Sequence, residues 1–265
     1  MLFLAVLTSV VVVVSLLLAS TTVIVLGTDQ TRAGLARWRT QAGRVWRYVA
    51  VLGVVLVVNT FAREYGPRVS WMIDWNITAV IHTIEGTTVA WIQSFAIPPL
   101  TALLGAVYVY GYAFLVIFPL VGYFLLRDPR HFERTASAYA INYALGVVLY
   151  TLFVSYGPRN VMPDLVSPLL FSQYPESKLL TVEINANTNV FPSLHTSLAT
   201  TVAILSWQTR EHLPRWPPIA IPLALAVVVS TMYLGIHWVT DVVGGIVVAV
   251  LSVAVASVVV DRRSA

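Results

Sequence analysis

The 265-residue chain contains no cysteine. That excludes disulfides, thiolate metal sites and a cysteine nucleophile. Charge is scarce too: Asp, Glu, Lys and Arg make up 11% of the residues, against about a quarter in a soluble domain. So little polar surface cannot coat a water-soluble globule of this size. What is present instead is apolar: 58% of the residues are hydrophobic. Several uncharged runs reach or approach the roughly 20 residues that cross a bilayer as a helix. The composition therefore describes one membrane domain rather than a soluble domain with an anchor.

The apolar runs predict an all-α polytopic transmembrane helix bundle of about seven spans. These are Leu2–Leu26, Val45–Phe61, Pro98–Leu126, Ala138–Tyr156, Ser193–Trp207, Pro217–Leu234 and Val239–Val260. Between the second and third, Trp71–Phe95 alternates apolar and polar residues around Asp74 and Glu85, as an amphipathic or re-entrant segment on one membrane face would. Residues 1–44 read as an N-terminal transmembrane anchor with an Arg-rich loop, and 45–265 as the main membrane-embedded domain. The first run lacks a basic n-region and is longer than a signal-peptide core, so it reads as an uncleaved anchor.

The net charge of +4 would suggest nucleic acid in a soluble protein, but here the arginines sit between apolar runs. Arg32, Arg37, Arg39, Arg44, Arg47, Arg127, Arg130, Arg134, Arg210, Arg215, Arg262 and Arg263 fall on one side of the seven-span map. Arg63, Arg68, Arg159 and Lys178 fall on the other. The positive-inside rule makes the first set cytoplasmic, with the N-terminus outside and the C-terminus inside. Orientation in a cell membrane explains the basic balance, and no nucleic-acid partner is expected. Glu64-Tyr65-Gly66-Pro67-Arg68 is echoed by Ser155-Tyr156-Gly157-Pro158-Arg159. Gly-Pro there reads first as a helix end, and alternatively as a marker of two arginines lining one outward site.

Two places on the outer side carry groups capable of chemistry. In Phe191-Pro192-Ser193-Leu194-His195-Thr196, Pro192 and Ser193 suit a helix start. The amides and positive dipole end there favour a bound phosphate, with His195 in the first turn beside it. In the second place, His237 and Asp241 stand four residues apart at the start of the last span and share a helix face. An aspartate on one ring nitrogen fixes the tautomer and leaves the other nucleophilic. A chance His-x-x-x-Asp pair occurs in about one chain in nine of this composition, so the pair alone could be a cap or an interfacial contact. Two such histidines with nearby arginines make a stronger case. A divalent ion held by two histidines and a carboxylate ranks below phosphate chemistry. His82, His131 and His212 carry no expected role.

Pro192, Ser193 and His195, with His237, Asp241, Gly244 and Gly245, resemble the second and third motifs of the type 2 phosphatidic acid phosphatase superfamily. That superfamily includes lipid phosphate phosphatases and vanadium haloperoxidases. The resemblance covers roughly Pro98 to Val260. Two features depart from the pattern. Thr231 stands where the third motif usually carries arginine, and the first motif, Lys followed after six residues by Arg-Pro, has no match. Both departures, and the Ser230-Thr231-Met232-Tyr233-Leu234 run, resemble the inositol phosphorylceramide synthase branch. The resemblance implies a six-helix phosphatase-type core behind an N-terminal span, with His237 as nucleophile, Asp241 as its partner and His195 as acid and base. Ser193 and Arg159, with Arg68 and Lys178 behind, are expected to hold the phosphate. No metal or cofactor is implied. The implied substrate is a membrane lipid phosphate, pyrophosphate or phosphodiester in the lipid bilayer, with water or an alcohol as acceptor. The alternative from another class is a lipid-binding or transport-related protein that keeps the fold without catalysis.

Overall fold

The computed structural model describes residues 2–173 and 189–264. Its elements are helices throughout, with two isolated parallel bridges and no named strand among the described residues. Helix α1 spans Leu2–Leu26 and is uncharged along its whole length. Gly27, at φ 79°, turns the chain into α2, Thr28–Ala36, and α3 follows as Trp38–Ile73. The Arg-rich segment expected as a loop is thus largely helical. Straight-chain arginine is a good helix former, and only Gly27 and Arg37 interrupt the run.

Helix α3 is 36 residues long, about 54 Å at 1.5 Å per residue, well beyond the roughly 30 Å of a hydrocarbon core. It runs straight through Gly66-Pro67, where a helix end was expected. The reason is tertiary. Gln41, Val45, Leu52, Asn59, Gly66 and Ser70 form a buried stripe along this helix. A Cβ on Gly66 would sit 3.5 Å from the Thr151 hydroxyl, and Ser70 Oγ donates to the carbonyls of Gly66 and Tyr150, both at 3.0 Å. Packing along α8, Arg130–Leu152, carries α3 past its proline. The second Gly-Pro behaves differently: α8 has already ended, and Pro158 opens a short helix, α9, Pro158–Val161.

The expected amphipathic segment forms two short helices, α4, Thr78–Glu85, and α5, Thr88–Gln93. They lie across one end of the bundle. The Ile77 amide donates to the Val154 carbonyl at 3.0 Å, and Gln93 Nε2 donates to the carbonyls of Ser167 and Tyr233. The next long helix has three parts: α6, Pro98–Ala106; a π-helical turn, Val107–Gly111; and α7, Tyr112–Phe124. After α9 and α10, Leu169–Gln173, come α11, Leu194–Gln208, α12, Pro217–Tyr233, and α13, Val239–Ser264.

Among the described residues, four helical stretches are long and apolar enough to cross a membrane: Leu7–Leu26, Trp38–Ile73, Pro98–Phe124 and Val239–Arg262. The chain is a multi-pass membrane protein built as an all-α bundle. Helices α1 and α3 turn apolar side chains outward, Leu16 at 65% and Val54 at 63% exposed, as lipid-facing helices do. Helix α11 is the opposite case. At 15 residues it covers only about 22 Å, yet Leu198, Ala199, Thr201 and Val202 are completely buried. It is the central helix, packed by α7, α8, α12 and α13. Its polar face is satisfied from α8: Asn142 Nδ2 donates to Thr201 Oγ1 at 3.2 Å, and Ser197 Oγ donates to Asn142 Oδ1. Gly244 and Gly245 let α13 close on the start of α11. A Cβ at Gly245 would fall 2.6 Å from the Ser193 carbonyl oxygen.

Candidate active site

Three helix ends meet beneath α4 and α5. At the start of α11, Ser193 is the N-cap, and its hydroxyl accepts the Thr196 amide at 3.3 Å. The Ser193 amide donates to the Asp241 carbonyl at 2.9 Å, tying α11 to the first turn of α13. Tyr150, at the end of α8, donates its hydroxyl to the Pro192 carbonyl at 2.8 Å. His195 therefore emerges from a start pinned by both neighbouring helices. Its ring lies between Tyr108, at 4.4 Å and 20° between planes, and Tyr112, at 4.2 Å. Those two tyrosines come from the π-helical turn and the residue after it. A π turn inside a long helix is a feature concentrated at functional sites.

The turn from α12 to α13 positions His237. Its amide and that of Ile236 both donate to the Thr231 carbonyl, at 3.1 and 3.0 Å. Gly235 takes φ 72°, and a Cβ there would meet Val166 at 2.7 Å and Gln93 Nε2 at 2.9 Å, so only glycine fits. His237 precedes α13 instead of lying on it, because the helix begins at Val239. It still reaches Asp241, whose Oδ2 lies 3.3 Å from His237 Nδ1 and accepts the Trp238 amide at 2.8 Å. One carboxylate oxygen thus caps the helix and orients the imidazole together. Asp241 is fully buried, and its Oδ1 has no hydrogen-bond partner among the described residues. His195 lies within electrostatic reach of His237.

Glu85 completes this corner, and nothing local in the sequence marks it for the role. As the last residue of α4 it accepts the amides of Val239, at 2.8 Å, and Thr240. The anion-binding start of α13 is thereby filled by a carboxylate from 154 residues away.

The expected cations sort differently. Arg159 is close: its amide reaches the Gly235 carbonyl at 3.4 Å, and its guanidinium lies 4.9 Å over the Phe171 ring. Burial pulls that guanidinium below its ordinary pKa, and the nearby Tyr108 opposes the shift. Its Nη1 has no hydrogen-bond partner among the described residues. Arg68 is exposed and lies over the Tyr65 ring, on the outward face of α3. Lys178 falls outside the described residues. Arg63, unmarked by any motif, sits instead on the inward side of α3, within electrostatic reach of His195, Tyr108, Tyr112, Tyr143 and Tyr150. Thr231 is buried and turns its hydroxyl to the Val228 carbonyl at 2.7 Å. Among the described residues, no three His, Asp or Glu side chains gather as a metal-ligand set.

A membrane helix bundle that gathers two histidines and a buried aspartate at one end defines the general class. Residues 77–255, about two thirds of the chain, match the sequence pattern of the PAP2 superfamily, and the chain belongs to it. This is a superfamily of phosphatases and phosphotransferases. The matched stretch includes Glu85, His195, His237 and Asp241 and leaves out Arg63. No curated protein and no solved structure matches the chain.

Proposed function

We propose that the protein is a lipid phosphatase or lipid phosphotransferase that works through a phosphohistidine. The observation that carries this reading is the His237–Asp241 contact, with His195 held at the adjoining helix start. Asp241 takes the Nδ1 proton of His237 as a hydrogen bond, so Nε2 carries the nucleophilic lone pair. Nε2 attacks phosphorus, and the bond between phosphorus and the leaving oxygen breaks. His195 donates the proton that the departing oxygen needs. In the second half His195 removes a proton from water or an acceptor alcohol. That oxygen then attacks phosphorus, and the P–N bond breaks to restore His237.

Charge on the equatorial oxygens is stabilised by the start of α11. Ser193 keeps its hydroxyl proton available while its oxygen accepts from Thr196. Arg159 adds positive charge. Arg68, facing outward, and Lys178 are not assigned to the phosphate.

The site faces outward. Twelve of the sixteen basic residues fall at the opposite end, which the positive-inside rule makes cytoplasmic, and Arg63, Arg68 and Arg159 stay at the site end. A site at the end of the bundle receives a headgroup while the tails stay in the bilayer.

The test is release of phosphate by the purified protein in detergent from a panel of lipid phosphates, pyrophosphates and phosphodiesters, beside His237→Ala. Arms with EDTA and with candidate alcohols complete it. Release that resists EDTA and vanishes in the variant identifies a metal-independent phosphatase. A new phospholipid formed only with alcohol identifies a transferase. Neither product from any lipid would contradict the proposal and favour the non-catalytic reading, which Thr231 in place of arginine already motivates.

A further inference from the structure

We infer that Arg63, on α3 and outside the family-matched region, supplies the phosphate-holding positive charge that Thr231 does not. This rests on the phosphotransfer reading of the site. Arg63 lies four residues after Asn59, three before Gly66 and seven before Ser70, and so falls on the buried stripe of α3. Its neighbours Glu64 and Tyr65 are exposed, whereas Arg63 is half-buried. The contacts of Gly66 with Thr151 and of Ser70 with Tyr150 fix which side of α3 meets α8. One turn earlier on that side, Arg63 lies within electrostatic reach of Tyr143 and Tyr150 of α8, of Tyr108 and Tyr112, and of His195.

That surrounding suits an anion. The Tyr150 hydroxyl is committed to the Pro192 carbonyl, but Tyr108, Tyr112 and Tyr143 add neutral phenol donors, and a guanidinium grips two phosphate oxygens at once. Helix α3 is also long enough to lift Arg63 to the level of the site end while its other end carries Arg39, Arg44 and Arg47. A superfamily site without its third-motif arginine thus regains a cation from a neighbouring helix.

Orthovanadate, a phosphate-shaped anion, tests this without a known substrate. Calorimetric titration of the full-length protein in detergent would compare wild type, Arg63→Gln, Arg63→Lys, His237→Ala and Arg47→Gln. Arg63→Gln is expected to weaken vanadate binding about 10- to 100-fold, as loss of a charge-assisted contact does. Arg63→Lys should recover part of it, and millimolar guanidinium should partly rescue Arg63→Gln. Arg47→Gln, the same charge lost at the far end of α3, should bind like wild type. Equal affinity in wild type and Arg63→Gln, with His237→Ala impaired, overturns the assignment alone. So does weakening that tracks a lowered melting temperature in both Arg63 variants and resists guanidinium, because that marks a structural role. No vanadate binding by wild type overturns both the assignment and the phosphotransfer reading beneath it.

Discussion

At one end of the bundle His195 and His237 emerge from adjoining helix starts; at the other, His131 of α8 and His212, just beyond α11, approach with ring centroids 4.6 Å apart. Both ends also carry arginine. The surroundings differ. His237 has a buried carboxylate on Nδ1, and that carboxylate is itself fixed by the Trp238 amide. Both ring nitrogens of His131 lack a hydrogen-bond partner among the described residues. At that end Asp261 pairs with Arg134 and Asp128 with Arg130, and Asp128 lies within electrostatic reach of His131 without a hydrogen bond to its ring. Neighbouring imidazoles are therefore common to both ends, whereas a ring held by a buried carboxylate belongs to one. Chemistry follows the partner of the ring and not the ring alone.

Five substitutions can break or sharpen that contrast. His237→Ala should reduce turnover to background in a phosphate-release assay, since it removes the imidazole that Asp241 orients through Nδ1. Asp241→Asn keeps the shape and an oxygen for the Trp238 amide and His237 Nδ1, but removes the negative charge that supports the ring as it becomes cationic. A loss of about 10²–10⁴ in kcat is expected, with a small change in KM. Glu85→Gln leaves the histidines in place and weakens the grip on two α13 amides. Unfolding in detergent should show a loss of about 1–2 kcal/mol, typical of a removed helix cap, together with about a tenfold fall in rate. His131→Phe and His212→Gln should leave turnover within about twofold. His131→Phe should also hold or raise the melting temperature, because it removes buried nitrogens that lack partners. A His131 variant as damaging as Asp241→Asn would erase the distinction between the two ends.

Much of this was legible in the sequence because it is written in local runs. Apolar stretches bounded by Pro98, Pro217 and the Arg-rich segments correspond to helices, and the His237–Asp241 spacing pointed to a pair of groups that do meet. The rest depends on contacts between distant segments. Gly66-Pro67 reads as a stop until α8 is packed beside it. The π-helical turn at Val107–Gly111 has no signature in a uniformly apolar run. Glu85 looked like a polar mark on an amphipathic segment, and its two amide partners lie more than 150 residues away. Arg63 had one readable sign: it continues a stripe of polar and small residues, Asn59, Gly66 and Ser70, along an otherwise lipid-facing helix. That periodicity separates it from the outward Arg68, which the Gly-Pro echo had favoured.

The most direct measurement is capture of the covalent intermediate. Purified protein would be mixed with a turned-over lipid phosphate, quenched in alkali-stable conditions within the first turnover, and mapped by peptide mass spectrometry. The account predicts one phosphoryl group on the imidazole of His237, absent from His237→Ala. A phosphoryl group on His195 or on another side chain, or rapid turnover with no phosphoenzyme at any time point, would contradict it.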